Sequence, residues 1–160
     1  MRPSCFAFVL LASLPHLAIA DPKSELQAEY DVLSAAFAKR DPAPFETALA
    51  PDYVLHIGKR TRTRASVVAD FRKQMANMSD VKWVRKVTNV SGSKGVFVAT
   101  VKSVFDGDFA MGAKKSHFWN SAVSKDTWIQ GPSKHWKLKS SSLTSLDAKV
   151  DGKPAGHFPE

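Results

Sequence analysis

Apolar side chains recur every three or four positions between residues 24 and 40, which is the period of an α-helix with one buried face. Ser24, followed three residues later by Gln27, is a capping-box pattern that marks the start of this helix. Asp41-Pro42 ends it, because the residue before a proline is pushed out of helical geometry. The pattern therefore predicts a first helix whose buried face carries Leu26, Tyr30, Leu33 and Phe37.

Two further helices and one strand are predicted before residue 79. A short helix is predicted over 42–50, with a proline in its first turn. The alternation of apolar and polar residues over 51–58 is typical of a strand. A third helix follows over 63–78, with Thr63 as its N-cap. Its apolar stripe consists of Val67, Phe71 and Met75.

The chain after Ser79 is rich in β-branched and aromatic residues, which favours strands. The predicted strands form a meander over 81–90, 95–105, 115–130 and 135–146. Gly-containing triplets at 91–93, 106–108 and 131–133 predict the turns between them. The Pro- and Gly-rich segment 148–160 is expected to be a loosely ordered tail. Helices that are segregated from an antiparallel sheet predict a single α+β domain over 21–147.

Residues 1–20 have the pattern of a secretory signal peptide. A basic residue, Arg2, precedes an apolar run that ends in the small-residue sequence Ala18-Ile19-Ala20. We expect cleavage after Ala20 and a secreted or periplasmic protein without a membrane anchor. The single cysteine, Cys5, lies inside this leader, so the mature chain is expected to have no disulfide and no cysteine-based metal site.

The chain is basic. It has 23 Lys and Arg against 15 Asp and Glu, and removal of the leader with Arg2 leaves 22 against 15, or +7. An exported chain rarely meets nucleic acid, and the sequence signatures of DNA- and RNA-binding domains are absent, so we predict no nucleic-acid partner. A basic surface would instead steer anions or be merely solvated.

Three short motifs, in this order, resemble the NTF2-like superfamily. They are Pro51-Asp52 before the first strand, Asp126-Thr127-Trp128 before a turn, and Trp136-Lys137 after it. More narrowly, the chain is similar to secreted SnoaL-like and DUF4440-type proteins over residues 24–147. The resemblance implies an NTF2-like (cystatin-like) cone, in which a strongly curved antiparallel sheet wraps around three N-terminal helices. It also implies an apolar pocket at the open end and a homodimer through the outer sheet face.

The predicted ligand-binding residues are the large side chains that this resemblance directs into the cone. Four tryptophans, each burying roughly 150–250 Å², exceed what the interior of so small a cone holds comfortably beside its phenylalanines. At least one is therefore expected in the pocket or in a dimer interface. Trp128 and Trp136 flank a tight turn and are expected to be near neighbours. The predicted pocket residues are Tyr30, Phe37, Tyr53, Leu55, Phe71, Trp83 and Trp119.

Two ionisable residues are candidate catalytic groups. His56 could serve as a general base, but strand alternation places its side chain on the other face of the strand from Tyr53 and Leu55. A shift of one residue in register would turn His56 to the face that Tyr53 and Leu55 occupy. Asp126 lies in an otherwise apolar strand and could be an acid with a raised pKa. Alternatively, it pairs with a basic side chain or caps a turn. The histidines lack metal-site spacing, so we predict no metal and no cofactor.

Three functional hypotheses remain open, because the fold alone does not choose a function. In the first, the domain binds a small, largely apolar ligand in its cone without a catalytic set. In the second, it is a SnoaL-like lyase, isomerase or cyclase that uses His56 or Asp126 in general acid-base catalysis. In the third, it is a dimeric assembly or interaction module whose outer sheet face pairs with itself or with another protein. The register of the first strand separates the first two, and an apolar patch on the outer sheet face would favour the third.

Overall fold

The computed structural model describes residues 21–111, 114–131 and 134–158, so the predicted leader lies outside the described residues. The described residues contain three helices and seven strands, which confirms the α+β class. In chain order these are α1 (Pro22–Ala38), α2 (Ala43–Ala48), β1 (Leu49–Ile57), β2 (Arg60–Thr63), α3 (Arg64–Ala76), β3 (Met78–Ser93), β4 (Val96–Met111), β5 (Lys114–Gln130), β6 (Trp136–Val150) and β7 (Lys153–Phe158).

One curved, unclosed sheet wraps around the helices in the order β2-β1-β6-β5-β4-β3, with β7 beside the second half of β6. Strands β3 to β6 are 15 to 17 residues long. Bulges interrupt their pairing, for example between Val87 and Asn89, and a bulge bends the strand that carries it. The expected antiparallel sheet contains one parallel pair, between β1 and β6.

Gln27 fastens α1 to the edge strand β3. Its Nε2 donates to the Arg85 carbonyl at 3.0 Å, and its Oε1 accepts from the Val87 amide at 2.8 Å. An edge strand leaves such backbone groups unpaired, so one side chain satisfies two of them. The predicted capping box is therefore wrong. The helix begins after Asp21, which makes no side-chain cap, and Gln27 bonds to the sheet instead.

The predicted N-cap of α3 is confirmed, since the Thr63 hydroxyl accepts from the Ser66 amide. The turn predicted at 106–108 is wrong, because β4 continues through Gly107 with Phe118 opposite. A Cβ on Gly107 would lie 3.2 Å from the Phe105 ring and 3.3 Å from the Val81 Cα. Glycine fits this position because β3 approaches closely, and not because the chain turns.

The segment expected to be a loose tail is paired with the sheet as far as Phe158. Residues 148–150 end β6, and β7 runs antiparallel to it. The connecting turn is held by Asp151, whose amide donates to the His117 carbonyl at 2.8 Å and whose carboxylate accepts from the His117 amide at 2.9 Å. The Pro- and Gly-rich composition misled the prediction, because an edge strand tolerates both residues.

The buried apolar residues form two clusters. The first surrounds the fully buried Trp128 and includes Tyr30 and Trp136. The second joins Phe37 to Phe71 and to Phe105. Tyr30 and Phe37 lie on the same face of α1 about two turns apart, so one helix supplies both clusters. Tyr30 and Phe37 therefore contact different parts of the core.

Gly92, at the end of β3, is expected to be intolerant of a side chain. Its φ is +132°, and a Cβ there would lie 2.3 Å from the Val96 carbonyl oxygen and 2.8 Å from the Phe97 Cα. We expect Gly92→Ala to lower the free energy of unfolding by about 1–3 kcal/mol, measured by urea denaturation. Gly152→Ala is the matched control, since Gly152 also has positive φ but nothing lies within 4 Å of the added carbon. Equal losses in both variants would contradict the role of the close contact.

Candidate functional site

A cavity of about 610 Å³ lies between α1, α3 and the concave face of the sheet. Eleven of its sixteen described lining residues are apolar. Six of these eleven are aromatic: Phe37, Phe71, Trp83, Phe105, Phe109 and Phe118. Five lining residues carry neutral polar groups: Gln74, Ser103, Ser116, Asn120 and Ser124. The volume and the apolar character are those of a small-molecule pocket.

Strand alternation builds the floor of this cavity. Every second residue of β5 from Ser116 to Ser124 faces the cavity, since side chains i and i+2 share one face of a strand. Leu143 and Leu146 continue the floor on β6. Helices α1 and α3 contribute Phe37 and Phe71 from the opposite side.

Phe37 connects the aromatic residues of the cavity wall. Its ring centroid lies 4.6 Å from that of Trp83, 5.2 Å from that of Phe71 and 5.8 Å from that of Phe105. Phe71 in turn stacks on Phe45 at 3.9 Å. Such edge-to-face and stacked pairs are favourable beyond the area they bury. The wall is therefore held in place by its own aromatic contacts.

A buried polar cluster lies next to the cavity. The Tyr30 hydroxyl donates to Asp126 Oδ2 at 2.5 Å, and Trp128 Nε1 donates to the Tyr30 oxygen at 2.9 Å. Trp128 is fully buried and Asp126 is 5% exposed. These three residues come from two elements that are about 100 positions apart in the chain, and they form one hydrogen-bonded chain inside the cone.

Burial changes the acid-base properties of this cluster. It raises the pKa of Asp126, while the hydroxyls of Tyr30, Ser141 and Ser124 and the Arg85 guanidinium act in the opposite direction. Burial, followed by the Asp126 carboxylate, raises the pKa of Tyr30 well above its ordinary value. Asp126 is thus the one carboxyl of the cluster, and its protonated form is favoured by its surroundings.

Arg85 is the basic member of the cluster. Its guanidinium carbon lies 3.7 Å from the Trp83 ring centroid and 5.3 Å from that of Tyr30, which are cation–π distances. Burial lowers its pKa to about 10. Within this cluster, Arg85 Nη2 and Asp126 Oδ1 are buried without a hydrogen-bond partner.

Ser124 is the link between the cavity and the cluster. It lines the cavity, and it precedes Asp126 by two residues on the same face of β5. Its hydroxyl is close enough to lower the pKa of the Asp126 carboxyl. Neither Asp126 nor Arg85 is among the described lining residues. Of Ser124, Asp126 and Arg85, only Ser124 lines the cavity.

The structure separates the residues that the sequence analysis placed together. Phe37, Phe71 and Trp83 line the cavity. Tyr30, Tyr53 and Leu55 belong instead to the first apolar cluster or pack against it, and they are not among the described lining residues.

Trp119 and His56 lie away from the cavity. Trp119 alternates with the lining residues Phe118 and Asn120, so it faces the outer side of the sheet, where the Lys149 ammonium lies 5.3 Å from its ring. His56 is exposed on β1, opposite Thr61 of β2 in the pairing register. Of the two candidate catalytic residues, only Asp126 is near the cavity.

Sequence reasoning missed Arg85 and the neutral polar residues of β5. In the sequence, Trp83, Arg85 and Val87 alternate with exposed residues, so the strand period itself places an arginine on an apolar face. That signal was available in the pattern. For Asn120 and Ser124 the sequence carries no comparable signal, because neutral polar residues are common on either face of a strand.

The outer sheet face carries a small apolar patch. Val84 and Val104 lie directly opposite each other on β3 and β4, and they are 51% and 41% exposed. A homodimer through this face stays a prediction. Within the described ranges there is no cluster of three or more metal-binding side chains, and no helix in those ranges has the length and apolarity needed to cross a bilayer.

No family model and no curated protein matches the chain. Solved structures do match it. An NTF2-like protein from Cytophaga hutchinsonii aligns with a TM-score of 0.61 and 15% identity, over 77% of this chain and 97% of that one. A candidate scytalone dehydratase from Novosphingobium aromaticivorans aligns with a TM-score of 0.62 and 9% identity, over 84% of this chain and 85% of that one. A candidate dehydratase of the NTF2-like family from Streptomyces avermitilis aligns with a TM-score of 0.58 and 14% identity, over 75% of this chain and 93% of that one. The fold that the three motifs predicted is confirmed: this chain has the NTF2-like fold.

Proposed function

We propose that this domain binds a small, largely apolar molecule in the cavity beneath α1 and α3. The observation that carries the proposal is the cavity itself, which has about 610 Å³ of space and six aromatic side chains along its wall. Aromatic walls with a few placed polar groups are typical of small-molecule sites. The leader-like sequence of residues 1–20 supports the further proposal that binding takes place after export.

Binding is favoured over catalysis by the position of the ionisable groups. General acid-base catalysis requires a titratable side chain within hydrogen-bond reach of the bound molecule. Among the described lining residues none is titratable, since His56 is exposed elsewhere and Asp126 is buried outside the lining. The geometry thus supports a binding site more directly than an active site.

The binding proposal is tested by filling the cavity. Ala122 lies in the middle of the β5 floor, so a ring at this position would occupy the space of a ligand. We expect Ala122→Phe to weaken binding of the neutral fluorescent dye N-phenyl-naphthylamine at least about tenfold, which corresponds to about 1.4 kcal/mol. Fluorescence titration of the chain from residue 21 onward measures this effect.

Val123→Phe is the matched control, because Val123 is the next residue on the same strand and faces the opposite side of the sheet. It should leave dye binding unchanged. Circular dichroism checks that both variants fold, and Ala122→Leu replaces the phenylalanine variant if that one does not. Undiminished dye binding by a folded Ala122 variant would refute the proposed site.

A second candidate function is general acid-base catalysis by Asp126. It is favoured by the buried carboxyl with a raised pKa and by Ser124, which joins that carboxyl to the cavity. Its test begins with native mass spectrometry of the protein from its own host, which identifies any retained compound. Asp126→Asn should then keep dye binding and lose turnover of that compound. A variant that retains turnover would exclude Asp126 as the catalytic group.

A further inference from the structure

The cavity is uncharged although the chain is strongly basic. The chain has 23 Lys and Arg against 15 Asp and Glu. None of the sixteen described lining residues has an ionisable side chain. The two nearby charged residues are not among the described lining residues: Arg85 packs against the Trp83 ring and Asp126 bonds to Tyr30. The charge of the surface is therefore not continued into the cavity.

The neutral polar groups of the floor surround one small residue. Ala122 of β5 pairs directly with Ser103 of β4. Asn120 and Ser124 lie two positions before and after Ala122 on the same face of β5. Diagonal neighbours on paired strands are roughly 7–8 Å apart. The three polar side chains therefore border a shallow depression above the small alanine side chain, here called the low patch.

The opposite side of the cavity is aromatic. Phe37 and Phe71 face this floor from α1 and α3, and the Trp83 ring lies beside Phe37. A flat ring between the two sides would pack against aromatic faces. At the same time, a hydroxyl or carbonyl on its edge could bond to the Asn120 amide or to a serine hydroxyl, since each of these groups both donates and accepts.

A charged group at the same position would be unfavourable. It would lose its hydration without meeting an opposite charge, and the free energy of burying an unpaired ion is far larger than that of burying a hydrogen-bonded neutral group. Long-range attraction by the basic surface raises the rate at which anions approach, but it does not replace the missing partner inside.

We propose that the cavity selects an uncharged aromatic or polycyclic molecule that carries a hydroxyl or carbonyl group, and that it rejects anions despite the basic surface. Asn120, Ser103 and Ser124 are the specificity-determining residues, because they border the low patch at Ala122 and supply the neutral hydrogen-bonding groups. This inference rests on the proposed function, since it names the class of molecule that the same cavity binds.

The charge selection is tested with two dyes that share one scaffold. N-phenyl-naphthylamine is neutral, and anilinonaphthalene sulfonate adds one sulfonate to it. We expect the sulfonated dye to bind the cavity at least about tenfold more weakly, the difference that about 1.4 kcal/mol produces. Ala122→Phe identifies the cavity-bound fraction of each dye, and titration at moderate salt suppresses binding to surface lysines.

The outcomes separate the inference from the proposed function. Equal affinities for the two dyes, both lost in Ala122→Phe, would overturn charge selection and leave the binding site intact. If neither dye responds to Ala122→Phe, the proposed function itself fails. Tighter cavity binding of the neutral dye supports both.

The hydrogen-bonding part of the inference is tested at Asn120. Naphthol and naphthalene compete against N-phenyl-naphthylamine, and they differ by one hydroxyl. We expect the wild-type chain to prefer naphthol, and Asn120→Leu to reduce that preference about three- to tenfold, the usual effect of one hydrogen bond. Ser121→Leu, on the outer face of the same strand, is the control. An unchanged preference in Asn120→Leu would overturn the role of Asn120.

Discussion

Trp128→Ala is expected to destabilise the domain by about 3–5 kcal/mol, the range for removing a large buried aromatic side chain. Trp128 has no exposed surface, and its ring packs edge-on against Tyr30 with centroids 5.4 Å apart. It also donates the hydrogen bond that orients the Tyr30 hydroxyl toward Asp126. The substitution therefore removes apolar contacts and one member of the polar cluster together. Urea denaturation followed by circular dichroism measures the loss.

The same substitution at Trp119 provides the comparison. Trp119 is half-buried on the outer face, with Lys149 as its neighbour. Its removal should cost at most about 2 kcal/mol, because less apolar area returns to water and an exposed cation–π contact contributes little. Similar losses at Trp128 and Trp119 would contradict the assignment of the first to the core and the second to the surface.

Asp126→Asn is expected to become progressively more stable than the wild-type chain as the pH rises. Burial raises the pKa of Asp126 above its ordinary value of 3.8. Below that value the carboxyl is protonated in both the folded and the unfolded chain. Between 3.8 and the raised pKa only the unfolded chain releases the proton, so the wild-type chain loses stability with rising pH across this window. Asparagine can still accept the Tyr30 hydrogen bond but does not titrate.

The difference between the two unfolding free energies, measured in urea over a series of pH values, should rise across this window and then level off. Each tenfold change in proton affinity between folded and unfolded chains corresponds to about 1.4 kcal/mol. A flat difference would show that the hydrogen bonds of Tyr30, Ser141 and Ser124, together with Arg85, offset the effect of burial on the Asp126 carboxylate, and a falling difference would show that they outweigh it.

Asp52→Asn is the control, because the opposite change in the free energy of unfolding is expected from it. Asp52 is exposed, and its hydrogen bond from Lys139 lowers the pKa of its carboxyl. That carboxylate contributes stability above its ordinary pKa and loses the contribution as the pH falls through the lowered value. The asparagine variant should therefore be less stable than the wild-type chain at neutral pH, by the small amount expected of an exposed pair.

Asp126 and the cavity are separate features with one point of contact. The carboxyl is bonded to Tyr30, and only Ser124 lies both near it and at the cavity. A binding protein would use the cluster to hold β5 against α1. An enzyme of the same geometry would have to move a proton through Ser124. The Asp126→Asn variant separates these roles because it changes the titration of the cluster and not the shape of the cavity.

Much of the fold is encoded in local periodicity, which the sequence shows directly. The spacing of Tyr30 and Phe37 placed both on the buried face of α1, and the alternation along β1 placed His56 on the other face of the strand from Tyr53. The Thr63 cap and the four long strands were also readable, because capping and strand period depend on neighbours a few residues away. The resemblance of three motifs then selected the fold.

Which buried residues line the cavity was decided only by the tertiary structure. Periodicity says which face a side chain takes, but Tyr30 and Phe37 share a face, and only Phe37 lines the cavity. The difference arises because Tyr30 packs in the cluster around Trp128, whereas Phe37 packs against Phe71 and Trp83. These contacts join residues that are distant in sequence, so local periodicity does not show them.

The chemistry of the interior was equally a tertiary result. Asp126 was predicted either as an acid with a raised pKa, or as a residue that pairs with a basic side chain or caps a turn. Its hydrogen-bond partner is the Tyr30 hydroxyl, 96 positions away, with Arg85 nearby. No local pattern joins positions so far apart, because their contact exists only once α1 packs into the curved sheet. The sequence by itself determined the three helices, the long strands of the sheet and the buried face of α1, whereas packing determined the pairing of β7 and which buried residues surround a cavity.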